Sequence, residues 1–138
     1  MTQEHKQLLL KDLGARLPYG VKGRVSRRDH NNRECEFVKT IDGKLYDRFA
    51  VFQESWYDNV TIKPYLFPMS SMTDEDYAIY SKIWEDAGKT AYLGGCHHLI
   101  CTIKAYNAGN DYLLSKHYDI NGLIPMGLAE DATGKNIY

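Results

Sequence analysis

The chain has 138 residues, of which 43% are hydrophobic and 25% are charged. This length predicts a single domain over residues 1–138 that can bury one core without a metal or disulfide bonds. The formal net charge of −1 argues against a protein that binds polyanions over its whole surface. The first 50 residues are net basic and residues 51–138 are net acidic, and we expect the two halves to compensate each other, with one basic face as the alternative.

The first predicted element is a helix over residues 3–17. Leu9, Leu10, Leu13 and Leu17 form an apolar stripe at helical spacing, and the hydroxyl of Thr2 can cap the first turn. Pro18 disfavours helical angles in the residue before it and ends the helix.

Four short strands follow, over residues 21–26, 34–41, 44–52 and 60–63. Asp42-Gly43 favours a tight hairpin turn between the second and third strands, and Pro64 is expected to end the fourth. Short antiparallel strands form a small, strongly curved sheet, and their order is similar to that of SH3-like small barrels. The predicted class is therefore α+β.

A second helix has a clear start signal. Thr73 is a suitable N-cap, the acidic residues after it suit the positive end of the helix dipole, and Gly88 is expected to terminate the helix. The stripe predicted to be buried consists of Tyr77, Tyr80, Ile83, Trp84 and Ala87.

The sequence patterns after the second helix are less regular. Gly94-Gly95 marks a loop, a strand is predicted at Leu99–Ile103, and a helix is centred on residues 110–116 after the interruption at Gly109. Residues 123–126 are expected to pin the tail to the core, and residues 131–138 to fray.

Three stretches of the chain resemble other protein sequences: Leu8 to Val21 (LLLKDLGARLPYGV), Ile62 to Asp76 (IKPYLFPMSSMTDED) and Asn121 to Ala129 (NGLIPMGLA). On these stretches the chain resembles a family of small uncharacterised proteins from Bacteroidales bacteria and their phages. The resemblance implies an association with phages or mobile elements and carries no agreed activity. Residues 26–58 and 88–112 lie outside it, so we expect any specialised function to reside there.

The three cysteines are Cys35, Cys96 and Cys101. Their odd number, with no apolar leader and no run long enough to span a bilayer, favours reduced thiols in the cytoplasm and no membrane contact. Cys96-His97-His98-x-x-Cys101 is the densest set of metal-capable side chains, and His97 and Cys101 would share a helical face. A structural zinc needs four ligands, so we predict no metal and no cofactor. A metal- or cysteine-dependent enzyme built on these residues is an alternative for which no catalytic signature is present.

Two other groups of residues are candidates for binding a partner. The basic group could contact phosphates as a nucleic-acid accessory protein, or could be a solvated loop; its members are Arg24, Arg27, Arg28 and Arg33. The aromatic group flanks the last strand and could form a peptide groove or seal the sheet against the second helix; its members are Trp56, Tyr57, Tyr65 and Phe67.

The sequence therefore predicts an N-terminal helix, a small curved antiparallel sheet of the SH3-like partial-barrel kind, and two C-terminal helices packed on it. The predicted function is that of a small cytoplasmic, non-enzymatic binding protein that is associated with phages or mobile elements and acts through protein–protein contacts. Nucleic-acid binding and enzymatic activity are the alternatives. The oligomeric state does not follow from the sequence.

Overall fold

The computed structural model describes residues 2–27, 32–41, 44–47, 60–92 and 98–138, and they form a mixed α+β fold. The elements in chain order are α1 (Gln3–Arg16), β1 (Lys22–Arg27), β2 (Asn32–Ile41), β3 (Lys44–Asp47), β4 (Val60–Leu66), α2 (Asp74–Tyr92), α3 (His98–Ser115) and β5 (Glu130–Asp131). The predicted α+β class is confirmed. Among the described residues, no helix combines the length and the apolar content needed to cross a bilayer.

The sheet has the order β3-β2-β1-β4 with antiparallel neighbours, and the short strand β5 lies parallel to β4 at one edge. In the part of the chain that is described, β3 and β5 are the two edges and do not pair, so the sheet is open. An SH3-like partial barrel stays a prediction. The turn predicted at Asp42-Gly43 lies outside the described residues.

The core lies between α1 and the sheet. Leu9 and Leu13 of α1 are fully buried, and the Thr2 hydroxyl accepts a hydrogen bond from the His5 N–H at 3.1 Å, so the predicted stripe and cap of this helix are confirmed. Leu123 is also fully buried, which confirms that residues 123–126 pin the later chain to the core. The other buried members of the cluster are Val21, Val25, Phe37, Ile62, Leu66, Leu128 and Ala129.

A fully buried ion pair joins α1 to the segment that follows α3. Arg16 Nε donates to Asp12 Oδ2 at 2.6 Å, and Arg16 Nη2 donates to Asp12 Oδ1 at 3.1 Å. Nη2 also donates to the carbonyl oxygen of Tyr118 at 2.8 Å, and Asn121 Nδ2 donates to Asp12 Oδ1 at 2.8 Å. These extra bonds satisfy the Asp12 carboxylate and the Nε and Nη2 atoms of Arg16 where no water reaches them, whereas Arg16 Nη1 is buried with no hydrogen-bond partner among the described residues.

Strand β4 continues through Pro64, so the prediction that it ends there was wrong. Pro64 pairs with Gly23 at the last position of the β1–β4 ladder, where the missing N–H interrupts little because the ladder stops there. The two strands approach closely at this point, since a Cβ on Gly23 would lie 2.7 Å from the Lys63 carbonyl oxygen. Beyond it, β4 separates from β1 and pairs with β5.

Helix α2 begins as predicted, because Thr73 Oγ1 accepts a hydrogen bond from the Asp76 N–H at 3.1 Å. Its predicted end was wrong: the helix continues through Gly88 to Tyr92. A glycine inside a helix costs only about 1 kcal/mol relative to alanine, and packing against α3 offsets that cost. Tyr77 was also wrongly predicted to be buried, since it is 63% exposed; the rest of the stripe is half-buried.

Helix α3 occupies the residues for which a strand was predicted at Leu99–Ile103, so that prediction was wrong. The helix packs along α2 at Gly109, which is buried. A Cβ on Gly109 would lie 2.9 Å from Tyr80 Cε2 and 3.4 Å from Trp84 Nε1. The glycine that interrupts the apolar pattern is thus the residue that lets two aromatic side chains of α2 lie against α3. The loop predicted at Gly94-Gly95 lies outside the described residues.

Cys101 is buried on the α2 side of α3 and is disulfide-bonded. The expectation of reduced thiols was therefore wrong for this residue, because an odd number of cysteines still allows one pair. While the bond is intact, Cys101 offers no thiolate to a metal or a substrate.

A matched pair of glycine substitutions tests the α2–α3 contact. Gly109→Ala should lower the free energy of unfolding by about 1–2 kcal/mol, because the new methyl group overpacks the contact with Tyr80. Gly88→Ala should raise it by about 0.5–1 kcal/mol, because alanine favours the helix and, among the described residues, no atom from outside its own helical turn lies within 4 Å of a Cβ there. Urea denaturation measures both, and equal effects of the two substitutions would contradict this packing.

The buried ion pair makes a second prediction. Arg16→Met should lower the free energy of unfolding by about 3–5 kcal/mol, since it leaves the Asp12 carboxylate buried without its cation. The double variant Asp12→Leu/Arg16→Met should regain much of that loss, because no charge then remains buried. A double-mutant cycle in urea measures the coupling. Additive losses would show that the two side chains do not act as a pair.

Candidate functional site

In the described part of the chain, residues 133–138 lie between two clefts. On one side a polar cleft of about 670 Å³ is formed, lined by Lys22, Arg24, Glu34, Tyr65, Glu130, Lys135, Asn136 and Ile137. On the other side is a cleft of about 480 Å³, here called the aromatic cleft, lined by Phe67, Ser71, Thr73, Asp76, Ser115, Lys116, His117, Tyr118, Thr133, Gly134 and Tyr138. Both volumes are in the range of small-molecule sites.

Tyr138 anchors the segment between the clefts. Its hydroxyl accepts a hydrogen bond from the Lys22 N–H at 2.9 Å and donates to the Tyr65 carbonyl oxygen at 2.9 Å. These backbone groups lie where β1 and β4 separate, so a side chain supplies the bonds that the ladder no longer makes. Lys22 Nζ adds a bond to the Ile137 carbonyl oxygen at 3.0 Å. The expectation that residues 131–138 fray was therefore wrong.

The charges of the polar cleft are paired within the protein. Arg24 forms an ion pair with Glu130, and Lys135 Nζ lies 3.3 Å from the same carboxylate. The Tyr65 hydroxyl donates to Glu34 at 3.2 Å. Burial and the charge of Glu34 raise the pKa of Tyr65 above its ordinary value. The lining side chains carry three positive charges and two negative ones, so the cleft has a net charge of +1 and offers only a small excess of positive charge to a polyanion.

Asp76 is the anionic group of the aromatic cleft. The hydroxyls of Tyr112 and Tyr118 each donate to one of its carboxylate oxygens at 2.7 Å, and Lys116 Nζ lies 4.0 Å away. Burial alone would raise the pKa of Asp76, but the two tyrosine hydrogen bonds and the charge of Lys116 outweigh it and lower the pKa. Asp76 is therefore ionised at neutral pH.

His117 forms part of the wall of the aromatic cleft. Its ring stacks on that of Tyr138, with centroids 3.5 Å apart and an interplanar angle of 11°, and its Nδ1 is buried with no hydrogen-bond partner in the described part of the chain. Burial, and then the charges of Arg16, Lys22 and Lys116, lower its pKa to about 4. The imidazole is therefore uncharged at neutral pH.

Among the predicted binding residues, the structure brings Arg24 and Tyr65 together in the polar cleft and places Phe67 in the aromatic cleft. Tyr65 is only 4% exposed, so it offers little surface to a peptide. The side chains of Arg27 and Arg33, and the whole of Arg28, Trp56 and Tyr57, lie outside the described structure, as do Cys96 and His97. Among the described residues, no group of three or more His, Cys, Asp or Glu side chains is placed to hold a metal.

Sequence reasoning did not select His117 or Tyr138 as candidate site residues and explained Asp76 by helix capping alone. The signal for Tyr138 was weak, because the last few residues of a domain are usually poorly ordered unless other contacts hold them. Asp76 had a visible local role, which hid its bonds to Tyr112 and Tyr118. His117 has a φ of 64°, a backbone conformation that a His-Tyr dipeptide does not signal.

Outside the clefts, α3 exposes several large apolar side chains. Leu99 is 60% exposed, Ile100 is 50%, Ile103 is 51% and Tyr106 is 58%.

Comparison of the chain with models of protein families, with curated proteins and with solved structures gives no match. A function must therefore be argued from these clefts and this helix face.

The anchoring role of Tyr138 can be tested by removing its hydroxyl oxygen. Tyr138→Phe should lower the free energy of unfolding by about 1–3 kcal/mol, because the Lys22 N–H and the Tyr65 carbonyl lose their partner. Tyr106→Phe is the matched control on an exposed ring and should change it by less than about 0.5 kcal/mol. Chemical denaturation measures both. An unchanged stability of Tyr138→Phe would show that the hydroxyl does not close the gap between β1 and β4.

His117 should make stability depend on pH. Between pH 6.5 and about 4 the unfolded chain binds a proton on this imidazole and the folded chain does not, so stability falls as the pH is lowered through this window. His117→Asn tolerates the positive φ and should remove the loss, which is on the order of 3 kcal/mol. Urea denaturation at pH 7 and pH 4.5 measures it. Parallel pH dependence in both proteins would contradict the assignment.

Proposed function

We propose that this chain is a small, non-enzymatic binding protein that acts through protein–protein contacts at the outward face of α3. This face, called the α3 face below, consists of Leu99, Ile100, Ile103 and Tyr106. One observation carries the proposal: these four large apolar side chains are each at least 50% exposed. Clustered exposed apolar residues are uncommon on monomers and are characteristic of interaction sites.

The four residues form a continuous stripe. Leu99, Ile103 and Tyr106 are separated by four and three positions, so they lie on the same side of the helix, with Ile100 beside them. Cys101, Ala105 and Gly109 are buried and occupy the side of α3 that faces α2. The helix is therefore apolar on two sides, and only one of them is used within the described fold.

The charges around the stripe indicate the kind of partner. Between Leu99 and Asn110 the single charged residue is Lys104, which is exposed. A second copy of the chain, paired about an axis near Ile103, would bring Lys104 close to its own equivalent, and like charges repel. The proposed partner is an amphipathic helix of another protein with acidic residues beside its apolar stripe, since helices pack by interdigitating such ridges.

The structure weakens the support for the two alternative functions. Arg24 is paired with Glu130 and shares its cleft with Glu34, which lowers its value as a phosphate contact. Cys101 is disulfide-bonded, which removes a thiolate from the cysteine- or metal-dependent site. Protein binding therefore ranks before nucleic-acid binding and catalysis.

Two further parts of the proposal rest on the sequence. The association with phages or mobile elements is supported by the family resemblance alone. The cytoplasmic setting is supported by the cysteine count of the sequence, and the disulfide bond of Cys101 weakens that support, because disulfide bonds are rare in the cytoplasm. The SH3-like description of the sheet is supported by the β1–β2–β3 meander and by the register shift between Phe37 and Lys39, since such a shift bends a strand.

A displayed library of amphipathic helical peptides tests the proposal. The peptides share an apolar stripe and differ in carrying Glu or Lys beside it. The protein should enrich the Glu-flanked peptides, Lys104→Glu should reverse that preference, and Ile103→Asp should abolish binding because it places a charge in the stripe. Lys82→Glu, an exposed residue of α2, is the matched control and should leave the preference unchanged.

Two outcomes would overturn the proposal. The first is enrichment that Ile103→Asp does not reduce, which would place binding elsewhere. The second is a concentration-dependent dimer in sedimentation experiments that Ile103→Asp dissociates, which would show that the α3 face pairs with a second copy.

A further inference from the structure

The two halves of α3 are held to the fold by residues of different size. Between positions 99 and 109, the described residues that are buried are Cys101, Ala105 and Gly109. Further along the helix, Leu113 and Leu114 are 3% and 7% exposed. Small residues bury little apolar area, and the hydrophobic contribution to stability scales with that area. Packing therefore holds the first half of α3 weakly and the second half firmly.

Cys101 adds a covalent tie to the weakly packed half. The helix begins at His98, so Cys101 lies in its first turn, where it is disulfide-bonded and 5% exposed. The first turn of a helix lacks partners for its backbone N–H groups and frays readily. A disulfide bond restricts the unfolded conformations of the segments that it joins. The bond therefore opposes fraying at the place where packing opposes it least.

The α3 face lies in the same turns as this bond. Leu99 and Ile100 directly precede Cys101, and Ile103 follows it by two positions; all three are exposed, whereas Cys101 is on the side that faces α2. Residues 99, 103 and 106 lie on one side only while this part of the chain is helical, because their alignment depends on the helical period. Fraying of the first turns would therefore disperse the stripe.

From these observations we infer that the disulfide bond of Cys101 is a redox switch for the α3 face, which is ordered while the bond is intact and loses its order when the bond is reduced. This inference rests on the binding function proposed for that face and adds its regulation. A permanent disulfide bond would be unusual in the proposed cytoplasmic setting, whereas a transient one that responds to redox conditions is the form that occurs there.

A dithiol is the class of reductant that would operate the switch. One of its thiolates attacks a sulfur of the bond, forms a mixed disulfide and displaces the other cysteine as a thiolate, which takes up a proton. The second thiol of the reductant then attacks the mixed disulfide and releases the remaining cysteine. The products are two cysteine thiols and the cyclic disulfide of the reductant, so two electrons pass from the dithiol to the protein.

Amide hydrogen exchange tests the switch without any partner, with dithiothreitol as the dithiol. Reduction should speed the exchange of residues 102–107 by about 10- to 100-fold, because loss of the bond favours local opening of these turns. Residues 111–115, which the leucines anchor, should change by less than about 2-fold. Unchanged exchange of residues 102–107 would overturn the inference. Alkylation of Cys101 before any dithiol is added would overturn it as well.

A binding measurement connects the switch to the α3 face. The probe is a synthetic, cysteine-free amphipathic peptide with a leucine stripe flanked by Glu. The oxidised protein should bind it about 10-fold or more tightly than the reduced protein, since apparent affinity falls with the fraction of molecules whose face is ordered. Equal, measurable affinities would overturn the inference and leave the proposed function in place. Absence of binding in both states would contradict the proposed function, and hydrogen exchange would still decide the inference.

Two variants separate the bond from other effects of the dithiol. Cys101→Ala keeps a small apolar side chain and removes the bond, so without dithiothreitol it should already exchange and bind like the reduced wild type. Ala108→Ser, an exposed substitution in the same helix, keeps the bond and should retain the full response. If Cys101→Ala does not fold, the oxidised and reduced wild type decide the matter. A folded Cys101→Ala that exchanges like the oxidised wild type would overturn the inference.

Discussion

The ion pair of Asp12 and Arg16 is the interaction on which the arrangement of this protein depends. It is fully buried, and Arg16 extends from it to the backbone of Tyr118. Tyr118 lies in a turn that is bonded to Phe67, the residue that follows β4. The His117 carbonyl oxygen accepts a hydrogen bond from the Phe67 N–H at 2.9 Å, and the Asp119 N–H donates to the Phe67 carbonyl oxygen at 2.8 Å. One charged pair in α1 therefore fixes where the sheet, α3 and the aromatic cleft meet. Such a pair specifies an arrangement more than it adds stability, because desolvation offsets much of its attraction.

Local signals were sufficient where a short stretch of chain decides its own structure. The Thr2 and Thr73 caps, the alternation in β1 and the leucine stripe of α1 were all predicted correctly, because each depends on neighbours within a few positions. The glycines of the two long helices were misread for the opposite reason. Gly88 and Gly109 look like helix breakers by propensity, but the contact between α2 and α3 decides the outcome, and at Gly109 it requires the smallest side chain.

The candidate site was harder to predict because its contacts join distant parts of the chain. Asp76 receives hydrogen bonds from residues 36 and 42 positions away, and no periodicity in the sequence reports such a distance. Its capping role was visible, so its second role was not sought. The exposed α3 face was missed because residues 99–103 were interpreted as a strand, and in a strand the same residues would alternate between two faces rather than form a stripe.

The hydrogen bond from the Lys22 N–H to the Tyr138 hydroxyl joins two residues that lie 116 positions apart in the sequence. Bringing such distant residues together is entropically unfavourable, so we expect this contact to form late, after the local helices and the pairing of β1 with β2. An interaction absent from the transition state slows unfolding without speeding folding. We therefore expect the Tyr138 hydroxyl to act mainly on the lifetime of the native state, and with it on the lifetime of the two clefts that flank residues 133–138.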